Sequence, residues 1–366
     1  MRTLALAAAL GIVIGCGPNT TTVTAPPPAG SGSSLPSAGG EHSLQPPGTG
    51  GVDALPDRPS WRSATILPPD NAAFAAASRQ NAIVAGDGTA WVTVDGTTWR
   101  PADTFDATDR IGLVSWNGRL VSWAIGGVVQ TSADGLRWTD AATGPGESNL
   151  TVMLALPDAL TLFGESIHTN DGAWRSIDGS TWSPLPEVPA GIAAATIRPG
   201  GGLIAVGAVR GSAATWWSPD GMTWQFGGTP DAGASQVDLT GVAATSAGVV
   251  AIGAIDGNAA SWSSRDLASW TPAAAVWGRE AFLESVATIG GTFVIAGRRN
   301  SRPTIWTSFD GRAWSAIDLS IPADTEGGAS LVRIGPGGVT VFGYTTQDAG
   351  NGGESRTGYL VWVLGT

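Results

Sequence analysis

One short phrase recurs along this chain at a nearly constant interval, and that interval restricts the fold more than any other feature. "VDGTTW" (94–99), "SADGLRW" (132–138), "SIDGSTW" (176–182), "SPDGMTW" (218–224) and "SFDGRAW" (308–314) each place an Asp turn four residues ahead of a tryptophan, and "SSRDLASW" (263–270) is a degenerate copy. With "DRPSW" there are seven such pairs: Asp57–Trp61, Asp95–Trp99, Asp134–Trp138, Asp178–Trp182, Asp220–Trp224, Asp266–Trp270 and Asp310–Trp314. Successive tryptophans stand 38, 39, 44, 42, 46 and 44 residues apart. A four-stranded propeller blade repeats at about 40–50 residues.

Each interval carries the same order of apolar runs and turns. In residues 240–270 the runs "GVAAT", "VVAIGAI" and "AASWSS" are separated by "SAG" and "DGN", and the Asp turn leads into a fourth run. Short runs bounded by Gly, Asn, Asp and Ser read as an antiparallel meander. No stretch after residue 55 has capped helical periodicity. The expected fold is all-β, a seven-bladed β-propeller of four-stranded antiparallel blades over 55–366. The first copy supplies only an outer strand near Trp61. The last unit ends in "YLVWVLGT", with Trp362 where other units carry Trp216, Trp262 and Trp306. The C-terminal strands are therefore expected to pair with that outer strand and close the ring, leaving only short, protected edges.

The phrase itself reads as scaffold. Gly accepts the positive φ of a tight hairpin, and an Asp carboxylate bonds nearby backbone N–H groups. A buried tryptophan removes about 150–250 Å² from water, a gross stabilisation of about 4–6 kcal/mol as an upper bound. The pattern S-x-D-G-x-x-W resembles the Asp box of bacterial neuraminidase repeats, S-x-D-x-G-x-x-W, with one residue fewer. The resemblance implies a turn between third and fourth strands on the face away from an active site. Seven carboxylates spread round a ring would not converge, as metal binding or acid–base chemistry requires.

The N-terminus has another character. "MRT" precedes the apolar run "LALAAALGIVIG", which is too short to span a bilayer and ends in "VIGC". "VIGC" resembles the bacterial lipobox, which implies lipidation of Cys16; the other reading is an ordinary secretory leader that happens to contain a cysteine. Residues 1–16 are thus expected to be a lipoprotein signal peptide, and the protein to be exported and lipid-anchored on the outer face of the cytoplasmic membrane. Residues 17–54, rich in Pro, Gly, Ser and Thr, are expected to be a disordered tether. His42 lies there.

Composition removes several functions. The formal net charge is −11, which argues against nucleic acid, whose phosphates need a basic surface. It also argues against electrostatic attraction to anionic lipid, so the N-terminal lipid is the only membrane contact expected. Cys16 is the single cysteine and permits no internal disulfide. His168 is the only histidine after the tether, which excludes a multi-histidine zinc site. No nucleophile elbow, P-loop or dinucleotide fingerprint occurs. No cofactor and no metal are expected, and the protein is expected to be a monomer.

Chemistry is left to the end of the ring opposite the Asp turns, where second-to-third-strand turns and connections between blades vary. The candidate ligand residues are Glu165, His168, Arg210, Arg298, Arg299, Arg302 and Tyr344, with Asp256 in a further turn and Asp109, Arg110, Glu147, Arg279, Glu280 and Glu284 in the connections. "GRRNSR" puts three arginines within five residues of a chain poor in charge, suggesting an anion site. The expected function is a non-catalytic binding or scaffold module that engages a glycan, peptide or protein. The alternative is a sialidase-like glycoside hydrolase, whose family uses a tyrosine nucleophile activated by glutamate, three arginines and an aspartate. Tyr344 ends a second strand and could serve, although the family's "RIP" signature is absent; a Tyr–Glu contact would favour the enzyme.

Overall fold

The structure, a computed structural model, describes residues 61–62, 72–77, 82–86, 89–94, 98–103, 110–142, 144–146, 148–166, 172–230, 236–274, 277–278, 280–321, 325–335, 338–347 and 356–364. The chain divides into two units, Met1–His42 and Ser43–Thr366. Cys16, His42, Asp57, Asp95, Asp109, Glu147, His168 and Arg279 lie outside the described residues, as do the side chains of Trp61, Arg110 and Glu165.

The strands assort into four-stranded antiparallel sheets. Six are built from consecutive strands and span residues 72–101, 110–140, 148–184, 192–228, 237–272 and 282–318; they are numbered first to sixth below. A composite sheet holds Glu326–Gly335, Gly338–Gln347 and Arg356–Leu364, with Trp61–Arg62 added at its edge. The expectation of seven blades is corrected to this extent: six blades are continuous in sequence, and the seventh set of strands is drawn from both ends of the chain. Trp61 pairs with Leu364 and Arg62 with Val363.

The first strands of successive sheets are neighbours and form a shared inner layer. In such a meander the first-to-second and third-to-fourth turns fall at one end of the sheets. The second-to-third turns and the sheet-to-sheet connections fall at the other. These are called the Asp-turn end and the loop end.

The Asp turns are built alike. In the second sheet, Ser132 Oγ accepts from the N–H of Gly135 at 2.8 Å, and Asp134 Oδ1 accepts from the N–H groups of Leu136 and Arg137 at 2.8 and 3.1 Å. Trp138 Nε1 then donates to Gly135 O at 2.8 Å. Gly135, Gly179, Gly221 and Gly311 sit at φ between 72 and 78°, which suits a residue without Cβ. In the degenerate copy Leu267 takes this place at φ 63°, and its side chain is buried. These hydrogen bonds favour the ionised carboxylate. N–H donation from Thr181 and Ser180 lowers Asp178 to about 2.

Hydrophobic clusters fill the junctions between successive sheets from the first to the composite one. Among the described residues the wholly buried tryptophans are Trp262, Trp306 and Trp362, all on third strands. The Asp-turn tryptophans do not clamp every blade equally, because Trp138, Trp182 and Trp314 are buried while Trp99, Trp224 and Trp270 are half-exposed. Just past the fourth strand the third and sixth sheets place the buried Leu185 and Leu319, whereas the first, second and fifth place the small Ala102, Ala141 and Ala273. At the fifth, Trp277 from the following connection fills the space, its ring 5.7 Å from Trp306 and 5.6 Å from Trp314.

Candidate ligand site at the loop end

Every first strand carries an irregularity at the same place. The ladder to the second strand skips one residue at positions 73, 111, 151, 193, 240, 284 and 330. A bulge of this kind turns its extra residue away from the regular alternation of the strand. Opposite it, the second strand carries a glycine in every sheet except the second, where Ala124 takes the place, because backbone passes where a Cβ would stand. At Gly253 an added Cβ would lie 1.8 Å from Asp238 O, and at Gly297 it would lie 2.0 Å from Phe282 O.

At three bulges the extra residue is a hydroxyl that satisfies a second-strand carbonyl. Thr151 Oγ1 donates to Phe163 O, Thr240 Oγ1 to Ile252 O and Ser330 Oγ to Phe342 O. The sixth sheet puts Glu284 there instead. A carboxylate cannot donate to a carbonyl, and this one reaches the composite sheet, where Tyr344 Oη donates to Glu284 Oε1 at 3.3 Å. The tyrosine ring lies over Gly328, where an added Cβ would be 2.7 Å from the phenol oxygen.

Two neighbours complete the cluster. Arg298 follows Gly297 as Tyr344 follows Gly343, so the two occupy equivalent positions in adjacent sheets. The guanidinium carbon of Arg298 stands 5.7 Å above the ring of Phe282, an exposed side chain two residues before Glu284. Burial pushes Glu284 above its ordinary carboxylate value, opposed by the charge of Arg298 and the Tyr344 hydroxyl. Burial, together with the Glu284 charge, raises Tyr344 to about 12. The phenol is therefore protonated at neutral pH.

The arginine cluster divides. Arg299 binds Asp318 through two hydrogen bonds, Nε to Oδ1 at 2.9 Å and NH2 to Oδ2 at 2.8 Å. That pairing holds Asp318 below its ordinary value, with Thr304 Oγ1 donating to the same carboxylate and the Arg302 charge adding to the effect. Arg298 is exposed and makes no ion pair within 4 Å among the described residues. Arg210 stands on the second-to-third turn of the fourth sheet, two sheets from the cluster, at φ 51°. Glu165 follows Gly164 as Arg298 follows Gly297, but in the third sheet. Of the candidate ligand residues the structure thus brings together Tyr344 and Arg298, joined by Glu284, which belongs to a strand and not to a connection. The repeated second-strand glycine was the available signal for the bulge. Among the described residues no group of three or more His, Cys, Asp or Glu could hold a metal, and no helix is long and apolar enough to cross a membrane.

No protein-family model and no curated protein matches the chain. Solved structures do. YCF48 bound to D1 peptide is 17% identical and superposes with a TM-score of 0.58 over 86% of this chain and 99% of that one. The fold is a β-propeller. Streptogramin B lyase, 8% identical, gives a TM-score of 0.59 over 82% of this chain and 97% of that one. The N-terminal domain of Nup159, 12% identical, gives 0.54 over 85% and 98%.

Proposed function

We propose that the protein is an exported, lipid-anchored binding module whose propeller grips a peptide or protein segment at the loop end, between the sixth and composite sheets. The observation that carries this reading is the pairing of Arg298, an exposed guanidinium with no ion pair among the described residues, with a half-buried carboxylate, Glu284, whose one hydrogen bond among the described residues is a long one from Tyr344. A peptide presents donors and acceptors side by side and would satisfy both, with an acidic side chain meeting Arg298. A polyanion is a poorer fit, because Asp318 occupies Arg299 and Glu284 offsets Arg298. YCF48, a structural neighbour, is described with a bound peptide, which is compatible with this use of the fold. We read the composite sheet as the seventh blade that closes the ring. The pairing of Trp61 with Leu364, and the proximity of Ala72–Ala77 to Glu326–Gly335, support that reading.

A sialidase-like hydrolase is the second reading, and the Tyr344–Glu284 contact favours it. The surroundings fit it less well, since among the described arginines Arg298 stands beside the pair while Arg299 is bound to Asp318. The test is to present the protein to peptide, acidic-polysaccharide and sialoside arrays and to assay a fluorogenic sialoside in parallel. Retention of acidic peptides without hydrolysis is expected. Hydrolysis that Tyr344→Phe abolishes would replace the binding reading with the enzyme. Anchoring is checked separately: Cys16→Ser should release the protein into the soluble fraction, and an equally membrane-bound variant would remove it.

A further inference from the structure

In the Asp turns of the second to sixth sheets the residue just before the aspartate points outward, because the flanking Ser and Asp side chains turn inward onto backbone N–H groups, and Val94, just before Asp95 in the first sheet, is exposed. In the six turns from the first to the sixth sheet these residues are Val94, Ala133, Ile177, Pro219, Arg265 and Phe309, and five of the six are apolar. Hairpin tips ordinarily carry polar residues or glycine. Ile177 is 75% exposed, Phe309 73% and Val94 63%, which puts three of the four most exposed large apolar residues described at this one repeated position. Phe309 also borders a shallow groove with Arg265 and Arg312, between the fifth and sixth sheets.

We propose that these tips form a lipid-docking surface, so that the Asp-turn end rests on the outer leaflet and the loop end faces away from it. The proposal rests on the anchoring reading and goes beyond it, since lipid at Cys16 alone would leave the propeller free in orientation. Two further observations favour a bilayer. The chain enters the composite sheet at this same end, because Trp61 pairs with Leu364, the last residue of a third strand. Exposed arginines, Arg119, Arg137, Arg265 and Arg312, share the end with the apolar tips and can meet phosphate headgroups. The turn aspartates offset their charge, so shallow insertion of the tips is the main attraction. An anchored domain needs only a weak second contact, because anchoring makes it intramolecular.

The test uses the full chain reconstituted into vesicles of phosphatidylethanolamine and phosphatidylglycerol with brominated acyl chains. Co-flotation reads anchoring. Quenching of tryptophan reads docking, and because no tryptophan precedes Trp61 the signal comes from the propeller. Wild-type protein should float and be quenched. The triple variant Val94→Ser, Ile177→Ser, Phe309→Ser should float equally, melt at an unchanged temperature and lose at least half of the quench, whereas Val209→Ser at the loop end should keep it. Floating protein with no quench, or equal quench in the triple variant, would overturn docking while leaving anchoring in place. Wild-type protein that fails to float would overturn both.

Discussion

Tyr344 Oη donates a hydrogen bond of 3.3 Å to Glu284 Oε1 across the junction of the sixth and composite sheets, linking residues 60 apart in the chain. It joins a carboxylate raised by burial to a phenol raised to about 12. A half-buried carboxylate with one hydrogen bond among the described residues costs stability unless a ligand completes its hydrogen bonds.

The consequence is a stability gain on neutralisation. The folded state holds the Glu284 proton more tightly than the unfolded chain does. Its favourable contribution is present below the ordinary carboxylate value and is lost as pH rises through the raised value. Glu284→Gln should therefore stabilise the protein at pH 7 by about 0.5–2 kcal/mol, and the gain should shrink as pH falls through the raised carboxylate value. Melting curves across that range check it; a destabilised variant at pH 7 would show that the carboxylate holds the junction together.

The Asp turns have the opposite sign. Asp178 is lowered to about 2 by N–H donation, so it adds stability above the unfolded carboxylate value and loses it as pH falls from about 4 towards 2. Asp178→Asn keeps an acceptor oxygen but cannot titrate. Its melting temperature should fall less steeply than the wild type's between pH 4 and 2, and parallel curves would contradict the assignment.

Trp138 separates packing from binding. It is buried and bonds Gly135 O at 2.8 Å. Trp138→Ala should cost about 3–5 kcal/mol by denaturant titration, as truncation of a core aromatic does. Ligand affinity, measured where the variant is still folded, should be unchanged. Loss of affinity without loss of stability would move function to the Asp-turn end.

Ring closure is tested by truncation after Arg356. This removes most of the strand Arg356–Leu364, with the wholly buried Trp362 and the partners of Trp61 and Arg62. Cooperative unfolding should disappear or shift far down in calorimetry. An unaltered transition would mean that the composite sheet contributes little.

The repeat was legible because its causes are local. Asp-Gly dictates a turn, and the spacing of Trp138, Trp182 and Trp224 dictates the period. The site was legible only in part. Tyr344 and Arg298 could be placed near the loop end from strand order, but the contact with Glu284 depends on a bulge that moves the carboxylate off the strand's alternation. Gly297 and Gly343 carried a trace of that bulge. The pairing of Arg299 with Asp318 is invisible in sequence, because nothing local couples residues 19 apart across two turns. The packing of Trp277 against Trp306 and Trp314 is a tertiary contact of the same kind.

The central claim is that the junction of the sixth and composite sheets binds a peptide. Its most direct test is fluorescence anisotropy of a labelled acidic peptide selected from the array, titrated with wild-type protein, Arg298→Ala and Arg210→Ala. Loss of a charge-assisted hydrogen bond costs about 1.5–3 kcal/mol, so Arg298→Ala should weaken binding roughly tenfold or more. Arg210→Ala, two sheets away, should bind as the wild type does. Equal affinity of wild-type protein and Arg298→Ala would contradict the account.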